Sequence, residues 1–233
     1  MIGAFQAWRR LSLSRYDIAH LAYLLERKDV GIAGGMQDQY AAAFGGFNLI
    51  EFNGERDVIV NPLRVDAPIV HELEYCSLLV FTGATRLSSR IIDTQVRGYE
   101  AGDPAVVDAF EHMKALAVDA KAALLRGKVL ELGEILDEQW QHKKSTSSAI
   151  SNPHIDRLYG EARAAGAVGG KMNGAGGGGF MYLICPFDRK PDVVARLTAL
   201  GAEVSPVAFD FDGMQSWLTD PQERSTRMAV AVG

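Results

Sequence analysis

Two cysteines in 233 residues, Cys76 and Cys185, are too few for a disulfide framework, and neither stands in a metal-type or redox-type spacing. Both sit in apolar stretches that read as strands, HELEYCSLLVF and FMYLICPF, and are expected to be reduced core thiols. No apolar run approaches the ~18 residues needed to span a bilayer, and the first residues carry neither the basic start nor the cleavage pattern of a signal peptide. Membrane partners are therefore not expected, and a cytoplasmic location is. The five histidines never pair at ligand spacing, which argues against a transition-metal site. Positive charge is also short: 24 Lys and Arg face 29 Asp and Glu, a net charge of -5. That balance argues against the basic face on which nucleic acid depends. A nucleophile elbow, a GKS/T P-loop and a Rossmann fingerprint are missing as well.

What remains is an ordinary globular composition, 48% hydrophobic and 23% charged, long enough to bury one large or two small cores. MIGAFQAW has apolar residues at helix spacing but no cap before it, so the chain reads as beginning mid-element. Ser14-Arg15-Tyr16-Asp17 resembles a capping box and predicts a helix over 14–28. A turn from Gly31 to Gly35 precedes the short helix MQDQYAAAF, which Gly45-Gly46 ends. FNLIEF, VIVNPL and YCSLLVFTG read as antiparallel strands, and SSRIIDTQVRGYE as helix. The segment GYEAGDP, Gly98 to Pro104, is polar and turn-rich and marks the expected boundary between two lobes, 1–100 and 101–220. Beyond it come a helical hairpin (Ala105–Leu125, Lys128–His142) and a helix opened by Ser151 or Asn152 with Pro153. After the glycine run a strand, a helix Lys190–Leu200 and a strand Glu203–Phe211 are expected. The class is α+β, with a loose tail over 221–233.

Three stretches invite a chemical reading, and each has a plainer one. KMNGAGGGGF concentrates glycines, each costing roughly 0.5–1 kcal/mol against alanine in a regular element. It is either a flexible hairpin or, lying between a helix and a strand, a loop that lets backbone N–H groups approach an anion. GGMQDQY sets Asp38 in the first turn of a helix, where it either complements the helix dipole or faces a substrate. Glu26, twelve positions earlier, is either a solvated helix end beside Arg27 and Lys28 or a second carboxylate for the same cleft.

Together KMNGAGGGGF and GGMQDQYAAAFGGFNLIEF resemble the GHMP kinases, the family of galactokinase, homoserine kinase, mevalonate kinase and phosphomevalonate kinase. The block SSAISNPHIDRLYGEARAAGAVGGKMNGAGGGG is similar to the branch that phosphorylates a heptose 7-phosphate at its anomeric hydroxyl. The likeness runs over residues 1–212. It implies a two-lobed fold with a ferredoxin-like C-terminal lobe, an ATP-dependent sugar kinase activity, and ATP and Mg²⁺ as requirements, with a sugar phosphate as the other partner. By the same resemblance Asp38 would orient or deprotonate the acceptor hydroxyl, and Glu26 would help to hold Mg²⁺. Gly174, Ala175, Gly176, Gly177 and Gly178 would form the loop packed against the phosphates, and Gln37 and Tyr40 would contact substrate. Lys171 is a weaker candidate. Arg86 either forks onto a substrate phosphate or makes a surface salt bridge. The family's PxxxGLGSSS-like phosphate loop and its N-terminal basic residue have no counterpart in the sequence. The expectation is therefore an incomplete N-terminal lobe with an exposed strand edge prone to self-association, which leaves open whether the chain turns over by itself. The kinase reading also requires positions 38 and 176 to face a common cavity.

Overall fold

The computed structural model describes residues 1–83 and 88–218, with the side chains of 88–90 excepted. Two compact units emerge, one of residues 1–59 with 210–218, the other of Val60–Phe209. Gly98 to Pro104, the expected boundary, lies inside the second unit. The tail expected over 221–233 lies outside the described residues.

The first unit opens with α1 (Ile2–Arg9) and α2 (Arg15–Tyr23). The capping box at the start of α2 is present: Ser14 accepts from the Asp17 amide, and the Asp17 carboxylate accepts from the Ser14 amide at 2.8 Å. The helix expected to run to 28 changes character after Tyr23, where Leu24–Asp29 is a π-helical turn. Such wide turns are rare and favour functional sites. α3 (Gln37–Phe44) follows and ends at Gly45 in a positive-φ conformation. β1 (Asn48–Phe52) and β2 (Val58–Pro62) form a two-stranded sheet, and β2 carries the chain into the second unit.

The second unit contains α4 (Ala67–Cys76), β3 (Ser77–Phe81), α5 (Ser88–Glu100), α6 (Pro104–Leu125), α7 (Val129–Ser145) and α8 (Pro153–Ala165). β4 (Gly169–Met172), β5 (Phe180–Ile184), α9 (Lys190–Ala199) and β6 (Glu203–Ser205) complete it. The four strands pair antiparallel in the order β4-β5-β3-β6. With helices after the first and third strands, that order is the ferredoxin-like one, with α5 to α8 in the first crossover. Alternate residues define the buried face: Leu78 opposes Leu183 and Val80 opposes Met181. All four are buried with Trp140 of α7, Ile155 and Leu158 of α8, and Val193 and Leu197 of α9. Each such side chain contributes about 1.5–3 kcal/mol on burial. α8 starts as expected, with the Asn152 side chain accepting from the amides of His154 and Ile155, both at 3.0 Å, and Pro153 in its first turn.

Three expectations change. HELEYCSLLVF is not one strand: Val70, Leu73 and Cys76 are buried at helical spacing behind Pro68, and only Ser77 onward is extended. β6 stops at Ser205 rather than Phe211, because Pro206 offers no amide to the ladder. GGKM, which has no β-branched residue, forms β4, so the glycine run connects two strands instead of following a helix.

Candidate active site

Four side chains of the first unit form one connected arrangement. The π-helical turn presents Glu26 and Arg27 side by side, and α3 presents Asp38 and Gln39 in its first turn. Arg27 is the hub: its side chain is only 11% exposed, and its Nη1 lies 3.0 Å from Glu26 Oε1 while Nη2 lies 4.0 Å from Asp38 Oδ2. The same guanidinium donates from Nε to the Gly35 carbonyl at 3.2 Å and from Nη1 to that of Ile32 at 3.4 Å. A Cβ at Gly34 would meet the guanidinium, so a side chain there would require Arg27 to shift. Gln39, 7% exposed, closes the arrangement by donating from Nε2 to Glu26 Oε2 at 2.7 Å. Its Oε1 is buried with no hydrogen-bond partner. Glu26, Asp38 and Gln39 line one cavity of about 370 Å³, whose other walls include Ile18, Ala43 and Met214.

The sequence-derived candidates therefore separate. Glu26 and Asp38 share a cavity, with side chains 43% and 79% exposed. Gln37 is exposed at the start of α3. Tyr40, 3% exposed, belongs to the interior: it stacks with Phe44 and meets Tyr16 and Phe52 edge-on, and burial pushes its hydroxyl pKa upward. Arg86 lies outside the described residues. Arg27 and Gln39 were missed. The signal available was their adjacency to the two acids, which by itself fits a solvated helix end equally well.

The second unit holds the glycine hairpin, 173–179, between β4 and β5. Gly174, Gly176, Gly177, Gly178 and Gly179 all have positive φ. The hairpin is fastened by the Gly177 amide to the Ile150 carbonyl at 2.7 Å and by the Gly179 carbonyl, which accepts from Thr82 N at 2.9 Å and Thr82 Oγ1 at 3.0 Å. At Gly176, with φ 104°, a Cβ would stand 2.8 Å from the Ile150 oxygen, so the protein's own backbone already requires glycine there. Ala175 turns inward against the core.

Two lysines attend this hairpin. Lys143 at the end of α7 donates to the Gly174 carbonyl, and Lys171 of β4 donates to Gln139 Oε1 at 2.6 Å. Burial, with the charge of Lys171 beside it, brings the Lys143 pKa down to about 8, and burial lowers that of Lys171. Half-buried ammonium groups gain by meeting an anion, which repays part of their lost hydration. Lys143 was not foreseen, because a lysine in the last turn of a helix is also what the helix dipole favours.

Mg²⁺ is ordinarily held by one or two carboxylates together with substrate phosphates. Glu26 and Asp38 on one cavity fit that mode. Among the described residues no group of three or more His, Cys, Asp or Glu side chains could hold a metal by itself. The hairpin with its two lysines fits an anionic ligand such as a phosphate.

The second unit is a ferredoxin-like sheet carrying a glycine hairpin, and the first is a helical unit carrying two acids on one cavity. The chain belongs to the GHMP kinase family: residues 1–46 match the GHMP kinases N terminal domain and residues 120–203 the GHMP kinases C terminal family. It is 41% identical over 217 residues to a D-glycero-alpha-D-manno-heptose 7-phosphate kinase of Campylobacter jejuni, covering 93% of this chain and 63% of that protein. A crystal structure described as a D-glycero-D-manno-heptose 1-phosphate kinase from Bacteriodes thetaiotaomicron superposes with a TM-score of 0.74 at 37% identity, over 94% of this chain and 60% of that one. A bifunctional fucokinase/GDP-fucose pyrophosphorylase of Arabidopsis thaliana is 32% identical over 173 residues, 73% of this chain and 16% of its own length. The chain thus spans about three fifths of the two heptose kinases.

Proposed function

We propose that this chain carries the acceptor and metal side of an ATP-dependent sugar kinase that phosphorylates the anomeric hydroxyl of a heptose 7-phosphate. The observation that carries the reading is the cavity shared by Glu26 and Asp38, joined to the family's glycine hairpin in the same chain. When bound, ATP supplies the phosphoryl group and Mg²⁺ the charge compensation for it. Asp38, the more exposed of the two acids, accepts the proton of the attacking hydroxyl. Glu26, braced by Gln39, holds the metal. The hairpin and its lysines meet phosphate oxygens. Catalysis then comes from positioning and electrostatics, with no covalent intermediate.

The test is coupled ADP release with ATP and Mg²⁺, offering heptose 7-phosphate, heptose 1-phosphate, galactose and fucose as separate acceptors. Release with heptose 7-phosphate and not with the others is expected. Asp38→Asn should then lower kcat by at least about 10²-fold while nucleotide affinity changes little, since a general base contributes roughly 10²–10⁴. Undiminished turnover in that variant would remove Asp38 from the chemistry. Heptose 7-phosphate binding without ADP release would assign the chain to acceptor binding alone.

A further inference from the structure

The paired acids do not stand free. Glu26 presents both oxygens to partners, Oε1 to Arg27 and Oε2 to Gln39, and Asp38 shares the same guanidinium. We propose that Arg27 is a built-in counter-ion that stands in the cation's place on Glu26, so that a divalent metal binds Glu26 only by displacing the guanidinium.

Several observations support this. A guanidinium stays charged at any working pH, so it neutralises a neighbouring carboxylate permanently. At 11% side-chain exposure Arg27 is shielded from solvent, which strengthens its field on Glu26 relative to a surface pair. Its Nε bond to the Gly35 carbonyl uses a separate arm of the fork, so one of the two anchors of the turn at 31–35 remains when Nη1 leaves Glu26 and the Ile32 carbonyl. Gln39, which holds the other Glu26 oxygen from Nε2, also lines the cavity, so Glu26 keeps one fixed partner when the guanidinium moves. A displaced guanidinium would in turn have phosphate oxygens to fork onto, so that metal and nucleotide would enter together. The arrangement makes Arg27 a positioning residue that suppresses binding of metal without nucleotide.

The identity of the cation rests on the kinase reading, but the measurement does not. Mn²⁺ is titrated into the whole chain without nucleotide or sugar, and the free ion is followed by its electron paramagnetic resonance signal. Removing one like charge within about 4 Å of a divalent ion should strengthen its binding about tenfold once salt screening is included. Arg27→Gln is expected to show that gain, and Glu26→Gln in the Arg27→Gln background is expected to abolish it. A folded Arg27→Gln chain that binds Mn²⁺ no more tightly than the parent overturns the proposal, as does a gain that survives loss of Glu26. Should Arg27→Gln fail to fold by far-UV dichroism, the parent decides. Its Arg27 Nε–H resonance should move on addition of Mg²⁺ and not with NaCl at matched ionic strength, and an unmoved resonance overturns the proposal. Failure of the kinase reading would appear elsewhere, as absent ADP release with the Mn²⁺ result intact.

Discussion

Replacing Lys143 by methionine should change the pH dependence of stability in a direction opposite to that of most lysines. In the unfolded chain the group titrates near 10.5, and in the folded chain at about 8, because burial and then the charge of Lys171 disfavour the ammonium form. Between those values the unfolded chain binds more protons, so the folded state gains stability as pH rises from about 8 to 10.5. Below pH 8 the full difference opposes folding, and the gap corresponds to about 3 kcal/mol. By pH 9 most of the folded-state ammonium has lost its proton and the opposition has fallen to about 2 kcal/mol. The parent should therefore gain about 1 kcal/mol relative to Lys143→Met between pH 7 and pH 9. Absolute stabilities do not isolate this effect, because the variant also loses the bond to the Gly174 carbonyl, and the difference between the two pH profiles does. Urea unfolding followed by far-UV dichroism at pH 7, 8 and 9 measures it. Parallel profiles would show that the Lys143 ammonium is as well hydrated as any surface lysine, and the account of the hairpin as a waiting anion site would fail with it.

Gly176→Ala should destabilise the second unit by about 2 kcal/mol, since its Cβ meets the Ile150 carbonyl in a positive-φ conformation. Gly174→Ala, whose Cβ would meet open space at φ 65°, should cost only about 1 kcal/mol; equal shifts in thermal midpoint would contradict the packing argument. Ser14→Ala removes the cap of α2 and should lower stability by about 1 kcal/mol in urea unfolding. Hydrogen bonds from Ser14 hold the Asp17 pKa below its ordinary value, so the stability Asp17 contributes is present above that ordinary value and lost as pH falls through the lowered one. Ser14→Ala should flatten that acid-side loss, and an unchanged acid limb would assign the lowering to another cause.

The elements legible in the sequence are those whose signals are local. The Ser14 box, the Asn152-Pro153 start of α8 and the paired helices α6 and α7 each depend on residues within a few positions of one another, and each is present. β4 was illegible because GGKM owes its extension to β5: its amides and carbonyls are satisfied by Tyr182 and its neighbours, and no preference of Gly169 or Lys171 reports that partner. The same difference governs the site. Asp38 and Glu26 were visible as acids on turns, and they line one cavity. Arg27 was visible too, but its chemistry depends on burial. With its side chain in water it would be one charge among many, whereas at 11% exposure, forked between a carboxylate and two carbonyls, it offsets the charge of Glu26. The glycine hairpin yields the complementary lesson. Its composition reads as room made for a ligand, yet at Gly176 the room is taken by Ile150. If ligand binding depends on this hairpin, it does so through backbone that Ile150 and Thr82 have already fixed, so substitutions at those two anchors should disturb phosphate affinity without either side chain touching phosphate.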